Sequence, residues 1–451
     1  MEQHIPGIVL KDGLTQPVFD YKRCLFEKVY VETPVDTDGD GRLDLIAVYI
    51  RRPLETTQGM RVPAIYVANP YMLECNEDWY VPHDVDRDVS PYPQQHITES
   101  DITFDPSTVS FPQPRYPRAT VGYADTAPTE EIPLDCISDW YSYFNSRGYA
   151  SVFCGGLGTR GSQGFNCCGS PEETAAFKAV IDWLNGRCRA FTNLTDNIEI
   201  RADWCTGKVA MSGKSYLGTM CIAVASTGVE GLETIIPEAA ISNWYDYYRC
   251  NGLNLPAIGW QGDDLDILAK YCFSRAKDPE DYASVREAYA AWLEGIAADE
   301  DRDSGNYSRW WDMRNYLKAA DRFKASVFLV HGLADWNVKP THCVNLFAAM
   351  ECRGIPCKMM LHQGGHIYIH DLQGSRFNEM LHLWLDHWLY GIENGAAERI
   401  PNVLVQSNLD QDLWLASPSF PAVKGYTEPV LMPAQESGRL VDDLSATVYD
   451  R

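Results

Sequence analysis

The feature that most constrains the fold is an alternation of short apolar runs with helix-like segments, which begins near residue 149. Residues 172–184 carry apolar side chains at helical spacing, and residues 216–226 form a second helical segment rich in small side chains. The apolar runs between and after them are short enough for buried strands, at residues 149–154, 208–211, 235–236, 327–330 and 358–361. This order predicts an α/β protein whose mainly parallel sheet is covered by helices on both faces.

Three further apolar runs, at residues 29–31, 45–50 and 64–67, predict strands in the first part of the chain. The segment between the first two opens like a calcium loop at Asp36, with Gly41 at the sixth place. The twelfth place is Ala47, where a calcium loop needs a bidentate glutamate. The segment therefore favours a hairpin turn over a calcium site.

Four regions follow from these patterns. Residues 1–244 form the first part of the core, including a long excursion at residues 72–135 that is rich in Pro, Asp and Thr. Residues 245–320 are helical and aromatic and predict a lid insertion, and residues 321–399 return to the core pattern. Residues 400–451 open with a strand at 402–406 and are expected to begin a truncated β-sandwich domain.

The composition limits the classes of partner that the protein can bind. A formal net charge of −24 disfavours nucleic acid and anionic membranes, because both repel an acidic surface. No apolar run approaches the roughly 20 residues of a membrane span, and the first residues lack the apolar core of a signal peptide. The 14 cysteines are scattered, so reduced thiols are expected rather than disulfides or a zinc site. We therefore expect a cytoplasmic protein.

A candidate nucleophile follows the strand at residues 208–211. Gly213, Ser215 and Gly218 resemble the G-x-S-x-G elbow, with the second glycine one place late. Glycine before the serine lets a strand turn sharply into a helix and lifts the hydroxyl above the sheet. This strand–elbow–helix order is typical of the α/β-hydrolase fold and makes Ser215 the predicted nucleophile.

A serine hydroxyl needs a general base, which in this fold follows the nucleophile in the order serine, acid, histidine. Asp335 lies just after the strand at 327–330, and both His362 and His366 follow the strand at 358–361. His366 is the predicted base, because two glycines precede it and form a loop on which it can reach inward. His362, at the strand end, is the alternative.

The oxyanion of a tetrahedral intermediate needs two hydrogen-bond donors. The backbone N–H of Tyr216, directly after the nucleophile, is the first candidate. The loop after the strand at 64–67 contains no HGGG run but places Tyr71 there, so its hydroxyl is the second candidate.

These residues resemble the X-prolyl dipeptidyl aminopeptidases, serine peptidases that release an X-Pro dipeptide from a free peptide N-terminus. The likeness runs from about residue 16 to residue 414. Its segments are VETPVD at 31–36, DWY at 139–141, GTRGS at 158–162, VIDWLNG at 180–186, GKSYLGT at 213–219, SNWYDYYR at 242–249, GDDLD at 262–266, HGLADWNVK at 331–339 and LHQGGHI at 361–367.

The resemblance implies the same triad and the same role for Tyr71. It also implies that Trp244, Tyr247 and Val338 form a pocket for proline, and that Asp263 and Asn337 bind the substrate amine. Asp263 stands where the family usually has a glutamate, which is one methylene longer.

The resemblance further implies an acyl-enzyme mechanism without a metal or an organic cofactor, peptide substrates with proline at the second position, and a homodimer. Members of the family usually carry an N-terminal helical domain and end in a jelly roll, which this sequence lacks or only begins. Two rival interpretations remain open at this stage: an esterase or acylase of the related cocaine-esterase group, and an inactive remnant that binds peptides.

Overall fold

The chain forms one large sheet with helices on both faces. In the computed structural model, residues 5–86, 96–131, 139–250, 252–257, 259–372 and 374–420 are described. The strands are β1 Leu10–Lys11, β2 Leu14–Thr15, β3 Leu25–Glu32, β4 Leu45–Arg52, β5 Val62–Ala68, β6 Gly122–Ala124, β7 Ala150–Cys154, β8 Ala190–Phe191, β9 Ile198–Ile200, β10 Cys205–Lys214, β11 Leu232–Glu238, β12 Arg249–Cys250, β13 Leu253–Asn254, β14 Ser326–Gly332, β15 Cys357–His362, β16 Val403–Gln406 and β17 Trp414–Ser417.

Thirteen of these strands make the central sheet, in the order β17-β16-β15-β14-β11-β10-β5-β7-β4-β3-β8-β9-β6. All neighbours from β16 to β7 pair in parallel, whereas β4 and β3 add an antiparallel hairpin beside β7. The predicted mainly parallel sheet is therefore confirmed. Its parallel half brings the carboxyl ends of β10, β14 and β15 to one edge.

The helices are α1 Glu99–Ile102, α2 Asp139–Asn145, α3 Pro171–Leu184, α4 Tyr216–Ala225, α5 Trp244–Tyr248, α6 Leu265–Cys272, α7 Pro279–Asp299, α8 Arg309–Asp312, α9 Thr341–Glu351, α10 Phe377–Tyr390 and α11 Ala396–Arg399. Short 3-10 turns include Tyr316–Arg322, which precedes β14. None of the described helices is both long enough and apolar enough to cross a membrane.

Two apolar clusters cover the two faces of the sheet. Along β14, Val327 and Leu329 belong to the cluster formed with α3, α4 and α9, whereas Phe328 and Val330 belong to the cluster formed with α10. Successive side chains of a strand point to opposite faces, so a strand buried on both sides reads as a continuous apolar run. This is why β10, β11, β14 and β15 were detectable in the sequence.

The segment between β3 and β4 is a hairpin connection, as predicted. Glu32 pairs with Leu45 at the end of an antiparallel ladder. The Asp36 carboxylate accepts the N–H groups of Gly39 and Gly41, each at 2.9 Å, so it closes the turn.

The helices α5 to α8 and the hairpin β12–β13 lie between β11 and β14, which are neighbours in the sheet. This segment coincides with the residues for which a lid insertion was predicted. The described residues of the 72–135 excursion carry only short elements, including α1 and β6.

The end of the described chain differs from the expected start of a separate β-sandwich. β16 pairs in parallel with β15, and β17 pairs antiparallel with β16, so both extend the central sheet. The buried Val403 packs in the same core as β14 and β15, which explains this placement. The remainder of the expected domain, residues 421–451, lies outside the described residues.

Every cysteine in the described part of the chain is a free thiol, and most are buried. Their burial agrees with the prediction of mostly buried cysteines.

Candidate active site

Ser215 lies at a sharp turn between β10 and α4, with φ +62° and ψ −126°. A side chain on this backbone is rare and signals strain. The Ser215 N–H donates to the Glu238 carbonyl at 2.9 Å, which ties the turn to the neighbouring strand β11. The structure therefore places Ser215 at a strained elbow, as the sequence predicted.

The two glycines of the elbow are required by close packing. A Cβ on Gly213 would lie 2.4 Å from the Cβ of Leu217, and one on Gly218 would lie 2.6 Å from the Gly213 carbonyl oxygen. The glycine at 218 thus serves the tight strand–helix contact although it stands one place later than in the usual motif.

Asp335 and His366 meet at the carboxyl edge of the sheet. Asp335 Oδ2 lies 2.8 Å from His366 Nδ1. Asp335 Oδ1 accepts the backbone N–H groups of Asn337 and Val338, both at 2.9 Å. The aspartate is buried while the imidazole is partly exposed, so the acid is fixed and the ring faces the site. A carboxylate on Nδ1 leaves Nε2 as the proton acceptor.

The alternative base, His362, is buried and otherwise engaged. Its Nδ1 accepts the Gly364 N–H at 3.1 Å, and burial with repulsion from His331 lowers its pKa to about 4. His331 is also buried and donates from Nε2 to the Val338 carbonyl at 2.8 Å, 3.5 Å from Asp335. Both histidines are thus buried and hydrogen-bonded to backbone groups near the ends of their strands.

Two residues that contact the elbow or the loop of the base were not predicted from the sequence. Lys214, directly before the nucleophile, donates to the His366 carbonyl at 3.2 Å and so links the elbow to the loop of the base. Glu173 accepts the Tyr216 hydroxyl at 2.8 and 2.9 Å, and burial raises its pKa to about 7. Ser170 and Glu173 have the spacing of a helix capping box, which gives no sign of the contact with Tyr216.

The two tyrosines predicted to supply the oxyanion donors pack against each other. The Tyr216 N–H begins α4, and helix geometry leaves such a group without an intrahelical acceptor. The Tyr71 ring packs edge-on against the Tyr216 ring at 5.8 Å. Burial raises the pKa of Tyr71 well above its usual range, so the hydroxyl keeps its proton and can donate.

The residues expected to form a proline pocket lie in one aromatic cluster. Trp244 is fully buried and donates from Nε1 to the Tyr316 hydroxyl at 3.0 Å. Its ring contacts Tyr216 edge-on at 5.1 Å and Tyr247 at 6.0 Å. The Tyr247 hydroxyl donates to Asn337 Oδ1 at 2.8 Å, which joins two predicted binding residues. Val338 is fully buried beside them.

Asp263 is buried rather than solvated. It is only 3% exposed, and Oδ2 accepts the Tyr248 hydroxyl at 3.1 Å. Oδ1 is also buried and makes no hydrogen bond among the described residues. Burial, reinforced by the neighbouring Asp264, raises the pKa of Asp263 to about 7. A buried carboxylate with a free oxygen is suited to a cationic ligand.

Comparisons with known proteins identify the family. A family model described as X-Pro dipeptidyl-peptidase (S15 family) matches residues 38–368. The Xaa-Pro dipeptidyl-peptidase of Pediococcus pentosaceus is 44% identical over 405 residues, which cover 89% of this chain and 49% of the relative. That of Lactiplantibacillus plantarum is 45% identical over 406 residues, with the same coverage of both chains. The chain thus spans about half the length of the curated relatives it matches.

Solved structures are similar in fold. A CocE/NonD family hydrolase from Staphylococcus aureus is 13% identical with a TM-score of 0.51, covering 93% of this chain and 62% of that one. An aminopeptidase from a marine sediment archaeon of the Thaumarchaeota is 14% identical with a TM-score of 0.50 and the same coverage. This likeness confirms the α/β-hydrolase fold. The family model covers well over half of the sequence, and the chain belongs to the X-Pro dipeptidyl-peptidase (S15) family.

Proposed function

We propose that this chain is a serine peptidase that releases X-Pro dipeptides from the free N-terminus of peptides through an acyl-enzyme. The observation that carries the proposal is the 2.8 Å contact of Asp335 with His366 at the sheet edge where Ser215 forms a strained elbow. The names of the curated relatives, Xaa-Pro dipeptidyl-peptidases, support this substrate class.

In the proposed mechanism, His366 Nε2 takes the proton of the Ser215 hydroxyl as the oxygen attacks the carbonyl that follows proline. Asp335 holds the imidazole in the required tautomer and stabilises the imidazolium. The Tyr216 N–H and the Tyr71 hydroxyl stabilise the oxyanion. His366 then protonates the leaving amine, and water hydrolyses the acyl-enzyme.

Substrate selection in this proposal has two parts. The aromatic cluster of Trp244 and Tyr247 with Val338 accepts the proline ring, because these side chains are apolar and held by hydrogen bonds at their polar ends. Asp263 with Asn337 binds the free ammonium. A plain ester substrate has no such group, so the buried carboxylate favours the aminopeptidase over the esterase interpretation.

Replacing Asp263 by asparagine is expected to lower kcat/KM for a chromogenic Gly-Pro amide by roughly ten- to a hundredfold. Losing one partner of a buried charge pair costs about 2–5 kcal/mol, and the short side chain places Asp263 at the lower end. Hydrolysis of an N-acetylated or plain ester substrate is expected to change little, since neither has an ammonium to lose.

The matched control is Asp299→Asn, an exposed aspartate on the lid helix α7. Steady-state kinetics of both variants on both substrates test whether Asp263 binds the substrate ammonium. Equal losses on the two substrate types, or none on either, would remove Asp263 from the site and favour an esterase.

The pKa of about 7 for Asp263 predicts a pH effect on selectivity. The carboxyl is neutral at lower pH and becomes charged as the pH rises through about 7, so amine binding strengthens in that direction. The ratio of kcat/KM for the Gly-Pro amide to that for an ester without an ammonium should therefore rise from about pH 6 to pH 7.5. Above about pH 8 the substrate amine loses its own proton and the ratio should fall.

The contribution of His366 is common to both substrates and cancels in the ratio. Measured in parallel, Asp263→Asn should show no rise through pH 7. A flat ratio in the wild-type chain would contradict an ionising clamp at Asp263.

A further inference from the structure

A second cluster of polar side chains lies in the lid, apart from the triad. His83, Asp266 and Glu300 come from the 72–135 excursion, from α6 and from the residue that follows α7. One ligand atom from each lies within 4.8 Å of the other two. Three segments that are distant in the sequence thus place an imidazole and two carboxylates at one point.

The distances fit a small metal ion. His83 Nε2 lies 3.0 and 3.1 Å from the two Asp266 oxygens and 3.9 Å from Glu300 Oε1. Ligands about 2.1 Å from a tetrahedral zinc ion are separated from one another by about 3.4 Å. The His83 separations lie on either side of that value, and all three ligand atoms lie within 4.8 Å of one another.

Glu300 provides a separate indication of a cation site. It is fully buried, and its Oε1 faces His83 but makes no hydrogen bond among the described residues. Its other oxygen accepts the Asp266 N–H at 3.2 Å. A buried carboxylate oxygen without a partner is costly unless a cation or a proton compensates it.

The nearby arginines do not form ion pairs with these two carboxylates. Arg249 and Arg302 both pair with Asp264, at 2.9 and 2.7 Å. Arg249 also donates to the Glu300 backbone carbonyl at 3.3 Å, but among the described ion pairs the carboxylates of Asp266 and Glu300 face only His83. The buried Asp263 adds a further acid nearby in the chain. Burial and repulsion from Asp264 and Asp266 raise the pKa of Glu300, which agrees with an excess of negative charge here.

We propose that His83, Asp266 and Glu300 form a site for a divalent cation of the zinc class. Imidazole with carboxylates suits Zn²⁺ better than Ca²⁺ or Mg²⁺, which prefer all-oxygen ligand sets. His83 is partly exposed, so a water molecule can complete the tetrahedron.

The location gives the site a structural role. The His83 backbone N–H donates to the Gly262 carbonyl at 2.7 Å, next to Asp263. A cation here ties the excursion to the segment that carries the proposed amine clamp. Because Asp266 contributes to the raised pKa of Asp263, a cation on Asp266 also favours the charged form of that clamp.

The test uses the full chain, freed of metal with a chelator and titrated with Zn²⁺ by calorimetry. We expect one tight ion per wild-type chain, and at least 100-fold weaker binding in His83→Ala. The matched control is His96→Ala, an exposed histidine in the same excursion, which should bind as the wild type does. Zinc should also raise the melting temperature of the wild type and the control but not of His83→Ala, since it binds the folded state.

Glu300→Gln is the second variant. It keeps the size of the side chain and an oxygen for the Asp266 N–H, so it should fold, and we expect at least tenfold weaker zinc binding. Cysteines are the competing ligands, so Co²⁺ spectra complete the test. We expect d–d bands of tetrahedral nitrogen–oxygen ligation without a thiolate charge-transfer band.

Identical isotherms for the wild type and His83→Ala, a thiolate band, or no tight ion at all would each overturn the proposal. Tighter binding of Ca²⁺ or Mg²⁺ than of Zn²⁺ would overturn the assignment to the zinc class. None of these measurements depends on peptidase activity, so they stand apart from the proposed function.

Discussion

Replacing Ser215 by alanine is expected to lower kcat by roughly 10⁴- to 10⁶-fold while the chain remains folded. The triad acts as a unit, so removing the nucleophile leaves only the donors of the oxyanion hole and substrate binding. Alanine and serine have the same backbone preferences at the strained φ of +62°, so the elbow geometry should persist. Turnover of a Gly-Pro amide and circular dichroism of the same sample measure the two expectations.

The control is Ser226→Ala at the end of α4, where the hydroxyl donates to the Ala223 carbonyl at 2.7 Å and takes no part in the site. A serine-directed fluorophosphonate should label Ser215 in the wild type and in this control, and nothing in Ser215→Ala. Near-normal turnover in Ser215→Ala would end the assignment of the nucleophile.

The second large effect is expected for His366→Ala, with a loss in kcat similar to that of Ser215→Ala because the serine then lacks its base. His362→Ala is the informative comparison, since both histidines follow the same strand. We expect it to keep kcat within about tenfold and to lower the free energy of unfolding by roughly 1–3 kcal/mol, because the partly buried Gly364 N–H loses its acceptor.

Kinetics and chemical denaturation of the two variants separate these outcomes. If His362→Ala is the inactive enzyme and His366→Ala is not, the base has been assigned to the wrong residue. If both are inactive and unfolded, the conservative variants His366→Gln and His362→Asn provide the same comparison.

The sequence was informative where a function depends on residues close together in the chain. The elbow at Ser215 and the positions of Asp335 and His366 after strands are local patterns, and the structure brings the last two into hydrogen-bond contact. The strands of the parallel half were detectable because burial on both faces leaves a continuous apolar run.

Contacts between distant segments were not detectable. The Tyr248 hydroxyl donates to Asp263, and Lys214 donates to the His366 carbonyl. The sequence around these residues gives no sign of either partner. The apolar pattern at 403–406 would be the same whether the strand began a new domain or extended the central sheet. Only the structure shows that the strand pairs in parallel with β15.

The backbone at Ser215 also limits how stable this chain can be. A non-glycine residue in so rarely populated a conformation retains about 1–3 kcal/mol of strain in the folded state. Glycine adopts positive φ freely but has no hydroxyl. Selection for thermal stability alone would therefore favour glycine at position 215 and abolish the nucleophile. An engineered variant that is more thermostable and still active must gain its stability elsewhere, for example at exposed loop positions remote from the elbow.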